Sequence, residues 1–386
     1  MRFASFVLPP VLLAISPAAA DPHVPAITFS VERHFTTNAL DSSFAVADWY
    51  TLLRGSLQRT LETEAGTLKL GTDVQVTRFD RTDIEDDGSV ALAAELHTKL
   101  SPKLELRGAL TYRISSDGDD LTIGRFSIGT RAMRHTIGGK AELGIDLGGG
   151  TSLVLGLGNQ LELPGDTRFD LPALRPAKLN PDTNRTELSA KLMRTSGSTS
   201  YGISASTAFL AAEEIGSPPV ALSFQEYTLR LETASKGDNG SAFGLAFGAQ
   251  WLRGAHGIFA GARPTYQMVF AKPLPKGFEI RGSLVGRFET IDTDDPLASW
   301  LNRAEFEVAC RINERLKLGI GAFAEIERNL LLENWQRERG LYAEALYELS
   351  KPTTLVLRID ISDEFASVID VRQRTIDVFL GLRTKM

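Results

Sequence analysis

The chain has 386 residues, 43% of them hydrophobic and 23% charged, with 34 Gly, 17 Pro and a formal net charge of −6. That balance suits an ordered protein with a large buried or lipid-facing surface and excludes a disordered or collagen-like one. Mild acidity gives no electrostatic reason to expect nucleic acid as a partner, and the single cysteine, Cys310, cannot form an internal disulfide.

At the N-terminus, Arg2 supplies a positive end, Phe6 to Ile15 an apolar stretch, and Ala18-Ala19-Ala20 a small-residue cleavage site before Asp21. The apolar stretch is too short to span a membrane as a helix and contains Pro9 and Pro10. Residues 1–20 therefore read as a cleaved signal peptide and 21–386 as one domain. Beyond the signal no run of eighteen apolar residues occurs, which argues against helical membrane spans.

From Ala26 to Lys385 the dominant period is two, in segments of about ten residues separated by turn chemistry. In chain order the strands fall near 27–35, 48–59, 67–79, 89–100, 104–114, 137–147, 152–162, 184–194, 199–210, 223–233, 241–252, 258–270, 278–289, 300–311, 316–327, 340–349, 353–361 and 373–383. That gives about eighteen, or sixteen if the first pair lies outside the wall.

Successive side chains of a strand point to opposite faces, so each segment separates into two sets. Leu104, Leu106, Gly108, Leu110 and Tyr112 oppose Glu105, Arg107, Ala109, Thr111 and Arg113. Phe278, Ile280, Gly282, Leu284, Gly286 and Phe288 oppose Glu279, Arg281, Ser283, Val285, Arg287 and Glu289. Trp300, Ala304, Phe306 and Val308 oppose Arg303, Glu305 and Glu307; Leu355, Leu357, Ile359 and Ile361 oppose Thr354, Arg358 and Asp360. A soluble sandwich also alternates, but its strands are usually about five or six residues long. The longer segments and their charge-free oily faces predict instead an all-β, antiparallel up-and-down barrel that crosses a membrane.

Connections fall into two alternating classes. Ser101-Pro102-Lys103, Gly148-Gly149-Gly150, Thr195 to Thr199, Asn313-Glu314-Arg315 and Ser350-Lys351-Pro352 are short; Arg81 to Gly88, Ser115 to His135, Leu163 to Thr183, Ala211 to Ala221, Ile291 to Ser299, Arg328 to Arg339 and Ser362 to Arg372 are long and polar. Outer-membrane barrels place short turns inside and long loops outside. Aromatics gather at strand ends, with Trp49, Tyr50, Tyr112, Trp251 and Trp300 at the outer ends and Phe270, Phe278, Tyr201 and Tyr347 at the inner ends.

A barrel of this size encloses a watery lumen unless something fills it. Glu105, Arg107, Arg113, Glu226, Arg230, Glu232, Arg281, Arg287, Arg303, Glu305 and Arg358 fall on inward positions, and all of these but Glu226 and Glu232 are the candidate pore lining. Opposed signs would set up a transverse field favouring small polar solutes; the simpler role is pairing with neighbours across the wall. Ser115 to His135 has an apolar middle, Leu121 to Ile128, which predicts either an outward hairpin or a loop folded into the lumen. In the second case Asp117, Asp119, Asp120, Arg125, Arg131 and Arg134 narrow the channel. Leu163 to Thr183, rich in proline, is a candidate lid.

Catalytic signals are weak. His23, His34, His97, His135 and His256 are scattered, without an H-E-x-x-H or G-x-S-x-G arrangement. Acid runs such as Asp83 to Asp87 and Asp292 to Asp295 lack calcium-loop spacing and read as solvated outer loops. No enzyme activity, metal or cofactor is expected.

The signal, the strand rhythm, and the opening Val31-Glu32-Arg33-His34-Phe35-Thr36-Thr37-Asn38 followed by Asp48-Trp49-Tyr50 resemble the outer-membrane β-barrel proteins of Gram-negative bacteria, specifically porin-like barrels. The resemblance implies passive diffusion of small hydrophilic solutes, with polysaccharide export or a structural barrel as alternatives. It also implies as partners outer-membrane lipid and lipopolysaccharide, the barrel-insertion machinery, and other copies of the chain in a homo-oligomer. Such barrels usually finish on an aromatic residue, whereas this sequence finishes Phe379-Leu380-Gly381-Leu382-Arg383-Thr384-Lys385-Met386.

Overall fold

A computed structural model of the chain describes residues 25–40, 45–64, 66–123, 126–214, 223–255, 259–289, 298–330, 334–367 and 371–385. The expected signal peptide lies outside them. In chain order the strands are β1 (Ala26–Thr36), β2 (Asp48–Thr63), β3 (Gly66–Phe79), β4 (Asp87–Ser101), β5 (Leu104–Ile123), β6 (Phe126–Gly148), β7 (Thr151–Pro164), β8 (Arg168–Phe169) and β9 (Thr183–Ser196). There follow β10 (Thr199–Ala212), β11 (Phe224–Lys236), β12 (Ala242–Gly254), β13 (Ala260–Pro273), β14 (Phe278–Glu289), β15 (Ser299–Arg311), β16 (Leu316–Asn329), β17 (Trp335–Ser350), β18 (Thr353–Ala366) and β19 (Val371–Lys385).

All belong to one 19-stranded antiparallel sheet. The two-residue β8 pairs only alongside β6, at Thr130↔Phe169 and Arg131↔Arg168. Each of the other eighteen pairs with the next in the chain, and β1 pairs with β19 from Thr28↔Lys385 to Thr36↔Asp377, so the sheet closes on itself. Closure satisfies every wall strand on both sides and leaves no free edge, the condition for strands to cross a bilayer.

Large apolar side chains stand exposed on the outside, among them Leu110 at 67%, Ile320 and Leu231 at 65% and Leu341 at 61%. In water such a surface would be a severe liability; in hydrocarbon it is the favoured one. The fold and this oily exterior define an outer-membrane β-barrel.

Three features depart from the sequence reading. The loop folded into the lumen is not formed: Ser115 to His135 takes the hairpin alternative, with β5 and β6 paired as far as Ile123↔Phe126. Hydrophobic patterning stops where the strands leave the lipid, yet backbone pairing continues, which is why residue type misjudged its length. Tyr50, expected in the outer aromatic belt, instead stacks face to face on His34, ring centroids 4.4 Å apart, on the inner face. Phe288, expected on the oily exterior, is buried with Leu210, Phe224, Leu252 and Ala298, and Phe259, Trp300 and Leu330 pack against this group. The cause is local: β13 pairs with β14 only as far as Tyr266↔Gly286, and beyond it the Phe288 amide donates instead to Gln250 Oε1 at 2.9 Å.

The run Asp83 to Asp87, read as a solvated loop, is partly buried. A 3-10 turn, Asp83–Glu85, leaves Glu85 2% exposed, and Asp86 accepts from Arg78 at 2.6 Å and from the Phe79 amide at 2.7 Å. The run Asp292 to Asp295 lies outside the described residues.

Candidate functional site

The interior is built by the same alternation as the exterior. A residue and its second neighbour share a face, so opposite charges two apart along a strand meet inside the barrel. Arg281 holds Glu279 at 2.8 Å, Arg287 holds Glu289 at 2.6 Å, Arg358 holds Asp360 at 2.7 Å and Arg107 holds Glu105 at 2.6 Å. Pairs also bridge strands: Arg303 reaches Glu325 at 2.9 Å with Glu305 at 3.9 Å, and Lys191 reaches Glu232 at 2.5 Å. Arg230 donates to Thr265 at 2.9 Å and Arg113 to Ser89 at 3.2 Å. All nine residues of the candidate lining therefore take inward positions, most of them in ion pairs with their neighbours.

Aromatic rings support several of these arginines. Arg358 lies 4.3 Å from the centre of the Tyr342 ring, whose hydroxyl donates to Glu307 at 3.0 Å. Arg303 lies 5.2 Å above Phe323. Stacking of this kind fixes the orientation of a guanidinium that would otherwise sweep the lumen.

A further inner cluster spans the closing seam. Glu32 on β1, 2% exposed, accepts from Arg383 at 3.2 Å and lies 3.1 Å from His34 and 3.6 Å from Arg54. His34 is sandwiched between Tyr50 and Phe379, whose ring centroids lie 4.4 and 4.5 Å away. The sequence carries a signal for this cluster, since Glu32 and His34 are two apart between outward Val31, Arg33 and Phe35. Beside this cluster a recess of about 600 Å³ is lined by Arg54, Arg113 and Arg383, with Asp73, Gln75 and Ser89.

Of the candidate constriction residues, Asp117 and Arg134 face each other at 3.7 Å on the inward side of the β5–β6 hairpin. Asp119 sits further along β5, its carbonyl accepting from the Thr130 hydroxyl at 3.1 Å. Arg131 has a different part: it donates to the backbone carbonyls of Asp86 at 2.6 Å and Asp83 at 3.1 Å, clamping the 3-10 turn onto the hairpin. Turn and hairpin fit closely because Gly118 lacks a Cβ, which would lie 1.9 Å from the Ile84 carbonyl oxygen. Asp120 is in β5 but its side chain, like the whole of Arg125, lies outside the described residues.

The candidate lid is tied down at both ends. Its β8 pairs with β6, and Lys178 bridges Asp182 at 2.8 Å and Glu213 at 2.5 Å. Burial works against the Lys178 ammonium, but the hydrogen bonds it donates to Asp182 and Glu213 outweigh it and raise its pKa. The hydrogen bond from Lys178 lowers that of Glu213.

Among the described residues no group of His, Cys, Asp and Glu is placed to hold a metal ion. No family model matches the sequence, and no curated protein does. Solved structures do share the fold. The chain superposes on Pseudomonas aeruginosa OccK2 (OpdF) with a TM-score of 0.52 at 10% identity, covering 94% of this chain and 97% of that one. It superposes on the copper transporter OprC with a TM-score of 0.57 at 8% identity, covering 94% and 80%. These likenesses concern the barrel architecture. They agree with the class that closure and the oily exterior already define: an outer-membrane β-barrel like those of Gram-negative bacteria.

Proposed function

We propose that this barrel is a passive channel for small hydrophilic solutes. The observation that carries the reading is the ionised inner face, with arginines and carboxylates from β1 around to β19 on a surface that only water can solvate. The described residues belong almost entirely to the wall and its connections, and none forms a separate folded unit in the bore. On this reading the Asp117–Arg134 pair of the long hairpin and the apolar group around Phe288 narrow the opening, and Arg54, Arg113 and Arg383 set the local charge of the recess. The structurally similar OccK2 (OpdF) has a crystal structure in complex with glucuronate, a small hydrophilic molecule, which is compatible with this reading.

The test is electrical. Purified protein added to a planar bilayer should give stepwise conductance, and Arg113→Glu should shift the reversal potential in a salt gradient toward cation preference. Silence in that assay, from protein shown to be folded, overturns the proposal.

A further inference from the structure

The exterior carries one feature that neither lipid packing nor a channel requires. On three of four adjacent strands the outward apolar run ends in arginine: Arg328 follows Ile326 on β16, Arg339 and Arg337 precede Leu341 on β17, and Arg374 and Arg372 precede Ile376 on β19. All five are exposed. On β18 the corresponding outward positions after Ile361 are Asp363 and Phe365. The cross-strand register joins them into a patch, with Arg339↔Asp363↔Arg374 on one line and Arg337↔Phe365↔Arg372 on the next. Arg328 lies opposite both Trp300 and Trp335.

Charge within the patch does not balance. Asp363 alone accepts from Arg339 at 3.0 Å and from Arg372 at 2.6 Å. Among the described residues no carboxylate pairs with Arg328, Arg337 or Arg374, and Arg337 lies 6.0 Å above the Trp335 ring. On the same rim the outward Arg33 and Arg78 do have acidic partners, Asp80 and, at 2.6 Å, Asp86. Cations left without counter-charges at the boundary between hydrocarbon and water repel one another, unless an anion comes from outside the protein.

Position identifies that anion. The arginines sit on the long-loop side of the barrel, directly past the last lipid-facing aliphatics, among the ring side chains that mark the headgroup level. The molecules that line this place from the membrane side are lipids, and the headgroup chemistry that suits planar guanidinium forks is phosphate. We propose that Arg328, Arg337, Arg339, Arg372 and Arg374 form a binding site on the outer wall for the phosphates of an outer-leaflet glycolipid. The site is independent of the channel reading, because it lies on the opposite face of the wall.

The experiment uses the full barrel in neutral detergent with two probes, bisphosphorylated lipid A and the same glycolipid stripped of its phosphates. Adducts are counted by native mass spectrometry. The wild type should retain the phosphorylated probe in preference to the stripped one, and raising the salt should weaken that retention. The triple variant Arg328→Gln/Arg337→Gln/Arg374→Gln should lose affinity for the phosphorylated probe by about a hundredfold, the combined effect of three cations at a charged bilayer surface. Arg33→Gln/Arg78→Gln, which removes arginines already held by carboxylates, should bind like the wild type. Equal retention of the two probes by wild type, or equal affinity in a folded triple variant, overturns the proposal. So does loss of a dimer or trimer in that variant without loss of lipid, which would make the patch a contact between copies.

Discussion

Adjacent residues on one strand give the sharpest test of which side of the wall meets lipid. Leu110 is 67% exposed in the middle of the outward run of β5; Ala109, next to it, faces inward opposite Glu95 on β4 and Lys140 on β6. An arginine at 110 places a charge in hydrocarbon, at a cost of about 2–4 kcal/mol near the midplane. That corresponds to about 30- to 700-fold in the folding equilibrium. The same arginine at 109 enters water beside a carboxylate and should change stability by about 0.5 kcal/mol or less. The two variants differ by one position in sequence and carry the same added charge, so unfolded-state effects largely cancel. Denaturant titration of protein refolded into phospholipid vesicles, followed by tryptophan fluorescence, measures both. Equal losses for Leu110→Arg and Ala109→Arg would refute the assignment of the two faces.

Phe288→Ala empties part of the packed group formed with Leu210, Phe224, Leu252 and Ala298, and should cost about 3–5 kcal/mol in the same titration. An effect below about 1 kcal/mol would mean that the ring is not packed as described. The Lys178 bridge gives a pH dependence of definite sign. Folding lowers the Glu213 pKa, so its contribution is present above the ordinary carboxylate range and is lost as pH falls through the folded value. Lys178, with its pKa raised, loses its contribution only in alkali above its folded value. Hydrogen exchange of the segment around the Thr167–Ala177 bridge should therefore accelerate, relative to the rest of the barrel, in acid below the usual carboxylate range and again in alkali above the usual lysine range. Lys178→Met should remove that dependence, and an unchanged profile in this variant would refute it.

Most of the wall was legible because the period of two is imposed by two solvents at once. On β14 and β18 the predicted faces follow the observed ones for nearly every residue, since a misplaced charge or leucine would be costly on either side. The same logic explains the misses. Beyond the lipid the outward face meets water or neighbouring loops, so the continuation of β5 and β6 past Asp117 lost its signature. Phe288 keeps outward parity in sequence, but the end of β13–β14 pairing lets its ring join the interior. Tyr50 and His34 lie on inward positions where an aromatic stack replaces the expected polar side chains. The inner ion pairs were only half visible. Arg281 with Glu279 and Arg358 with Asp360 are two apart and readable, whereas Arg303 with Glu325 and Glu32 with Arg383 depend on register between strands.

The seam between β1 and β19 has a consequence for how the molecule is made. Glu32 and Arg383 are separated by 351 positions, so their contact can exist only once the ribbon of strands has become a ring. Until that moment two bare backbone edges face outward, each able to recruit a foreign strand. The ring therefore has a single joint where the two ends of the chain meet, and the buried carboxylate with its two arginines fastens that joint in the native alignment.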